Sequence, residues 1–206
     1  MTYKSTKIIV ALAAALTLAV AVGLASANRL SYSHQSFRIM WSGLSFSEVG
    51  GGFPITCAVT LEGRFHSATM AKVNGALVAL ITRAVVDNAG CAEGHATILE
   101  ETLPWHVTYQ SFSGRLPAIS RVRHALIGAG FQIEAGGGLR CLAQTTTTFP
   151  AAGEATREAR GNIITLSADS TLAIPITGGA CPLFGIFNGE GEVFAQGSTR
   201  VSLNLI

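Results

Sequence analysis

Cysteine, histidine and the carboxylates are the residue types through which this chain of 206 residues could do chemistry, and their spacing is what decides which chemistry. The four cysteines, Cys57, Cys91, Cys141 and Cys181, form no Cys-x-x-Cys pair, which argues against the close ligand pairs of a structural zinc site. His34, His66, His95, His106 and His124 never fall at the i, i+2 or i, i+4 spacing that puts two imidazoles on one metal. No Gly-x-Ser-x-Gly elbow is present, and beyond the first 27 residues the only aspartates are Asp87 and Asp169. The glycine runs lack the Lys and Ser/Thr that follow in a phosphate loop. A hydrolytic site would therefore have to be assembled from separated residues, of which His66, His106, Glu62 and Asp169 are the loose candidates. No catalytic residue, cofactor or metal is expected.

An even number of cysteines acquires its meaning from the compartment. Lys4 and Lys7 precede an almost wholly apolar run from Ile8 to Leu24, and Ala25-Ser26-Ala27 follows as a small-x-small cleavage site. That order of basic, apolar and small-residue regions is a secretory signal peptide over residues 1–27, leaving 28–206 as a secreted domain with possible sub-blocks 28–135 and 136–206. The expected location is extracellular or in the cell envelope, with no transmembrane segment after cleavage. Export permits disulfides. Cys57 opens an alternating strand and Cys91 follows the turn-like Asp87-Asn88-Ala89-Gly90, while Cys141 lies in a strand-like run and Cys181 follows Gly178-Gly179-Ala180. Sequential pairing, Cys57 with Cys91 and Cys141 with Cys181, is the preferred of three connectivities and would staple each half at about 3–4 kcal/mol per bridge.

Losing the leader also removes both of its lysines, so the remaining chain balances 12 basic residues against 12 acids. Its arginines are scattered among acids, which excludes the phosphate-neutralising cluster that nucleic-acid binding needs. Arg121, Arg123 and His124 make the densest basic spot and read as a solvated strand face.

The elements that would position these residues have a period of two. Phe37, Ile39 and Trp41; Cys57, Val59, Leu61 and Phe65; Trp105, Val107 and Tyr109; Ala129, Phe131 and Ile133; Leu172, Ile174 and Ile176; and Val201, Leu203 and Leu205 each alternate with residues of the opposite face. Gly50-Gly51-Gly52, Asn74-Gly75, Gly136-Gly137-Gly138, Gly178-Gly179 and Asn188-Gly189 punctuate these runs as turns. Ala76 to Val86 reads as a strand from its β-branched content, and Ala151 to Arg160 as a short helix or polar loop. The pattern predicts an all-β fold, an antiparallel β-sandwich or sandwich-like barrel of about eight to eleven strands. A membrane-spanning barrel is the competing architecture, but it would need longer strands and aromatic girdles at both ends.

Leu103-Pro104-Trp105 is the most distinctive local feature. The proline fixes the backbone at a strand edge and the tryptophan brings a large apolar surface to the core, so the tripeptide reads as a structural anchor. With Cys57 in its strand, Cys91, this tripeptide, and Cys141 and Cys181 in the second half, the chain resembles small secreted bacterial proteins described as protein activators of alkane oxidation, over roughly Phe53 to Gly189. Arginine is more frequent and threonine less frequent than in that group. The resemblance implies an extracellular, non-enzymatic β-protein that aids the handling of hydrophobic material, with envelope components or hydrophobic compounds as partners. A subunit of a cell-surface or pore-like assembly, and an extracellular hydrolase without a recognisable motif, are the alternatives, and the oligomeric state stays open.

Overall fold

The structure, a computed structural model, describes residues 29–49, 54–115, 118–157, 163–169, 174–195 and 199–205. The expected signal peptide lies outside the described residues, as do Gly50-Gly51-Gly52 and Leu172.

In chain order the strands are β1 (Arg29–Tyr32), β2 (Ser36–Glu48), β3 (Ile55–Phe65), β4 (Thr69–Ala71), β5 (Leu77–Ala92), β6 (Gly94–Ile98), β7 (Trp105–Arg115), β8 (Ala118–Ile127), β9 (Gly130–Ala135), β10 (Leu139–Gln144), β11 (Ala151–Arg157), β12 (Ile163–Asp169), β13 (Ile174–Thr177), β14 (Phe184–Ala195) and β15 (Leu203–Leu205), with one 3-10 turn at Glu100–Thr102. The all-β antiparallel class is as the periodicity predicts. Fifteen strands are described rather than eleven because several, such as β1, β4 and β15, are only three or four residues long and carry too little pattern to read.

Eight strands close into a ring, in the order β2, β3, β5, β7, β8, β11, β12, β14 and back to β2, every pair antiparallel. Closure leaves no unpaired edge within the ring. From β14 the hydrogen bonding continues into a second sheet, β13, β10, β9 and β6, whose Phe131 packs on Trp105 and Phe187 near one end of the barrel. At the other end β1 runs between β15 and β4, and its Tyr32 stacks on Phe65 at a centroid distance of 3.7 Å.

Alternation explains the ring. Along β3 the residues Ile55, Cys57, Val59, Leu61 and Gly63 are buried while Thr56, Ala58, Thr60 and Glu62 are half-buried, and Phe37, Ile39 and Trp41 of β2 repeat the pattern. Curvature comes from bulges. Asn188-Gly189, expected as a turn, lies inside β14, where the register with β2 shifts between Asn188 and Gly191; β2 shifts against β3 between Trp41 and Leu44. A bulge bends a strand and sharpens its twist, which a closed barrel requires.

Asp87-Asn88-Ala89-Gly90 is likewise no free turn. Thr56 pairs with Ala92 and Ala58 with Asp87, so the intervening stretch bulges out of β5, held by Ala89 N–H donating to Asp87 Oδ1 at 3.1 Å. Ala151 to Arg160 is a further correction, because its described part, Ala151–Arg157, is strand β11 and neither helix nor loop. Its charges misled the reading: Glu154 stands directly opposite Arg123 on β8, so a spacing that suggested a polar helix face is cross-strand pairing.

Candidate functional site

Both disulfides form in the sequential pairing, Cys57–Cys91 between β3 and the bulge of β5, and Cys141–Cys181 between β10 and the loop before β14. Their strand members, Cys57 and Cys141, are buried; Cys91 and Cys181 are half-buried. Trp105 is wholly buried at the first position of β7, after a cis Leu103-Pro104 bond, and its Nε1 donates to Thr102 Oγ1 at 2.8 Å. Leu103 packs against the same core and Pro104 is exposed.

The residues that a hydrolytic site would draw on do not converge. Glu62 faces outward from β3 between Arg38 of β2 and Arg83 of β5, with ion pairs of 2.6 and 3.1 Å. Hydrogen bonding from Arg83, helped by Arg38, outweighs partial burial and holds the Glu62 carboxyl below its ordinary range. His66 and His106 are exposed and lie on opposite flanks of β5, His66 bonded through its backbone to Val78 and His106 paired with Leu80. Asp169 ends β12, and its side chain is outside the described residues. Among the described residues no three His, Cys, Asp or Glu side chains are grouped to hold a metal ion.

The basic spot separates into two faces. Arg121 and Arg123 point outward and pair with Glu154, whereas His124, two residues from Val122 on the alternating strand, lines the inside of the barrel. It is half-buried because part of its surface borders a cavity, and burial among apolar neighbours pushes its pKa down to about 4. The imidazole is therefore neutral at pH 7.

That cavity measures about 110 Å³. Phe37, Ile39 and Trp41 of β2 and Leu61 of β3 form one wall; across the barrel, Ala151, Ala152, Gly153 and Ala155 of β11 form the other. The space exists where the small residues of β11 come opposite these bulky ones. Trp41 also borders a second apolar cavity of about 50 Å³, and its buried indole Nε1 has no hydrogen-bond partner among the described residues. Gly191, opposite Trp41 in the β14–β2 pairing, leaves room for the indole, since a Cβ there would lie 2.6 Å from the ring. The small-residue run at the start of β11 was the sequence signal for this lumen, hidden by the helical reading of the segment.

A second apolar feature lies outside. Leu183, 78% exposed, precedes Phe184 at the start of β14; the Phe184 ring lies 6.0 Å from that of Phe149, and its carbonyl accepts from the N–H of Val49, which is 57% exposed. These exposed apolar residues lie near the start of β14, while the outer face of the barrel carries charge at Arg38, Glu62, Arg83, Arg121, Arg123 and Glu154 beside the partly exposed Met40 and Val85.

Among the described residues no helix is long and apolar enough to cross a membrane. Comparison with protein-family models found no match, and comparisons with curated proteins and with solved structures found none either.

Proposed function

We propose that this chain is an exported, non-enzymatic β-barrel protein that works at apolar surfaces, attaching through Leu183, Phe184, Phe149 and Val49 to hydrophobic material. The observation that carries the reading is this exposed apolar edge on a barrel whose outer strands carry ion pairs. A contiguous apolar patch rimmed by polar surface is a mark of interaction with another apolar phase. Fully covering an exposed Leu or Phe side chain contributes about 1.5–3 kcal/mol; Leu183 has most of that gain left to make and Val49, Phe184 and Phe149 about a third to a half of it, enough for weak, reversible attachment. The resemblance to secreted activators of alkane oxidation supports the same role, and the two disulfides are compatible with an extracellular setting.

The charged outer face disfavours a barrel set in lipid, because an Arg or Lys at the bilayer midplane costs about 2–4 kcal/mol. The bulky side chains inside the ring likewise disfavour a water-filled pore through it.

Partitioning onto hexadecane droplets, followed with pendant-drop tensiometry, tests the proposal. Wild-type protein is expected to bind and lower the interfacial tension, and Leu183→Glu with Phe184→Ser is expected to weaken binding about tenfold or more at unchanged circular dichroism. Equal partitioning of the two proteins would refute the role of this edge.

A further inference from the structure

The apolar edge does not involve the inside of the barrel, where a different feature stands out. We infer that the lumen is a binding site for one small apolar molecule, a monocyclic or short-chain hydrocarbon or its singly hydroxylated derivative, seated between Trp41 and Ala155 with His124 as its polar contact.

Size sets the class. At about 110 Å³ the cavity is somewhat smaller than the apolar cavity of about 150 Å³ that stays dry and takes up benzene. Whole lipids and drug-sized ligands need about 300 Å³ or more, so the site takes a single ring or a short chain. The lining sets the polarity. Aromatic and aliphatic groups from β2 and β3 face alanine and glycine from β11, and among the described residues no charged side chain borders the space. Water in such a cavity would find too few hydrogen-bond partners to be held well, so exchange for an apolar molecule is favourable.

His124 adds the specific element. It lines the cavity, and among the described residues nothing hydrogen-bonds its ring. A neutral imidazole carries one donor and one acceptor, so it can pair with a single hydroxyl, but it supplies no positive charge to offset burying a carboxylate as an ion. Of the other polar-tipped side chains at the cavity, Tyr32 already donates its hydroxyl to Met70 Sδ, and the Trp41 Nε1 lies against Gly191 of β14.

The inference does not depend on attachment at Leu183 and Phe184, and the test keeps the two apart. Toluene and phenol are titrated into the purified, disulfide-bonded exported chain by calorimetry and tryptophan fluorescence. Trp41 borders the cavity, and the chain has only two tryptophans. Saturable one-to-one binding is expected for both probes. Ala155→Leu, and separately Ala151→Leu, both on the inward face of β11, are expected to weaken both probes about tenfold or more by filling the space. Having two such variants guards against one that does not fold. His124→Leu is expected to weaken phenol about tenfold while leaving toluene within about twofold. The double change at Leu183 and Phe184 should leave both affinities unaltered. Absence of saturable binding by wild-type protein up to the solubility of the probes, or wild-type affinity in both filled variants, would overturn the inference.

Discussion

Three basic residues side by side on β8 behave as two kinds of group. Arg121 and Arg123 pair with Glu154 in water, where such exposed pairs are worth about 0–1 kcal/mol, while His124 turns into the barrel and loses its charge. The alternation that separates them is legible in Arg121-Val122-Arg123-His124, since His124 shares the parity of the buried Val122; composition alone groups all three. This placement makes stability depend on pH. With the folded pKa near 4 and the ordinary value near 6.5, the unfolded chain binds a proton between those limits that the folded chain excludes. Stability is therefore expected to fall as pH drops from about 6.5 towards 4, by up to about 1.4 kcal/mol per pH unit, and His124→Leu should flatten that limb in urea titrations across the window. Burial pushes the Tyr32 phenol at the same cavity upward, away from this range. Glu62, whose pKa is lowered, stabilises the fold above the ordinary carboxylate value of 4.5 and begins to lose that contribution below it, so it overlaps only the acid end of the His124 window. An unchanged slope in the histidine variant would contradict the inward placement.

Strands carry the second level of explanation. Runs such as Cys57 to Phe65 were readable because one face of each is buried and the other wet, so period two survives in the residue types. Ala151–Arg157 was not, because alanine and glycine are neutral to periodicity and its charges find partners only across strands. Asp87 to Gly90 and Asn188-Gly189 show the same limit for turn residues: the chemistry that makes a turn also makes a bulge, and only the neighbouring strand decides between them. The bridges act at this scale too. They span 34 and 40 residues and join strands or loops that already adjoin. Replacing Cys57 with Cys91, or Cys141 with Cys181, by alanine pairs is expected to cost about 2–4 kcal/mol each, read from urea midpoints. Loss of the second bridge should also speed hydrogen exchange in Ile174–Thr177, which β10 and β14 hold between them. Wild-type midpoints in both variants would show the bridges to be dispensable.

Taken as a whole molecule, a ring of eight strands turns its bulky apolar side chains inward and its ion pairs outward. Arg38, Glu62 and Arg83 lie in line across three neighbouring strands because the registers place them directly opposite one another. With water as the outer solvent, the disulfide-bonded chain is expected to recover its native circular dichroism on dilution from urea into plain buffer. A requirement for detergent or lipid would show that the outer face meets an apolar phase instead. Closure through β12 and β14 also explains the lumen, since the wall of small residues on β11 faces the wall of large ones only once the ring is complete.

By itself the sequence determined the all-β class, the faces of the longer strands and the preferred cysteine pairing, because each of these depends on neighbours two residues apart or on the local setting of a few residues. Ring closure, the bulges, the strand nature of Ala151–Arg157, the lumen with His124 inside it and the gathering of Leu183, Phe184, Phe149 and Val49 were decided only in three dimensions. Each of those depends on which strands lie side by side, and that is settled by packing and hydrogen bonding between residues far apart in the chain, a relation that residue spacing does not record.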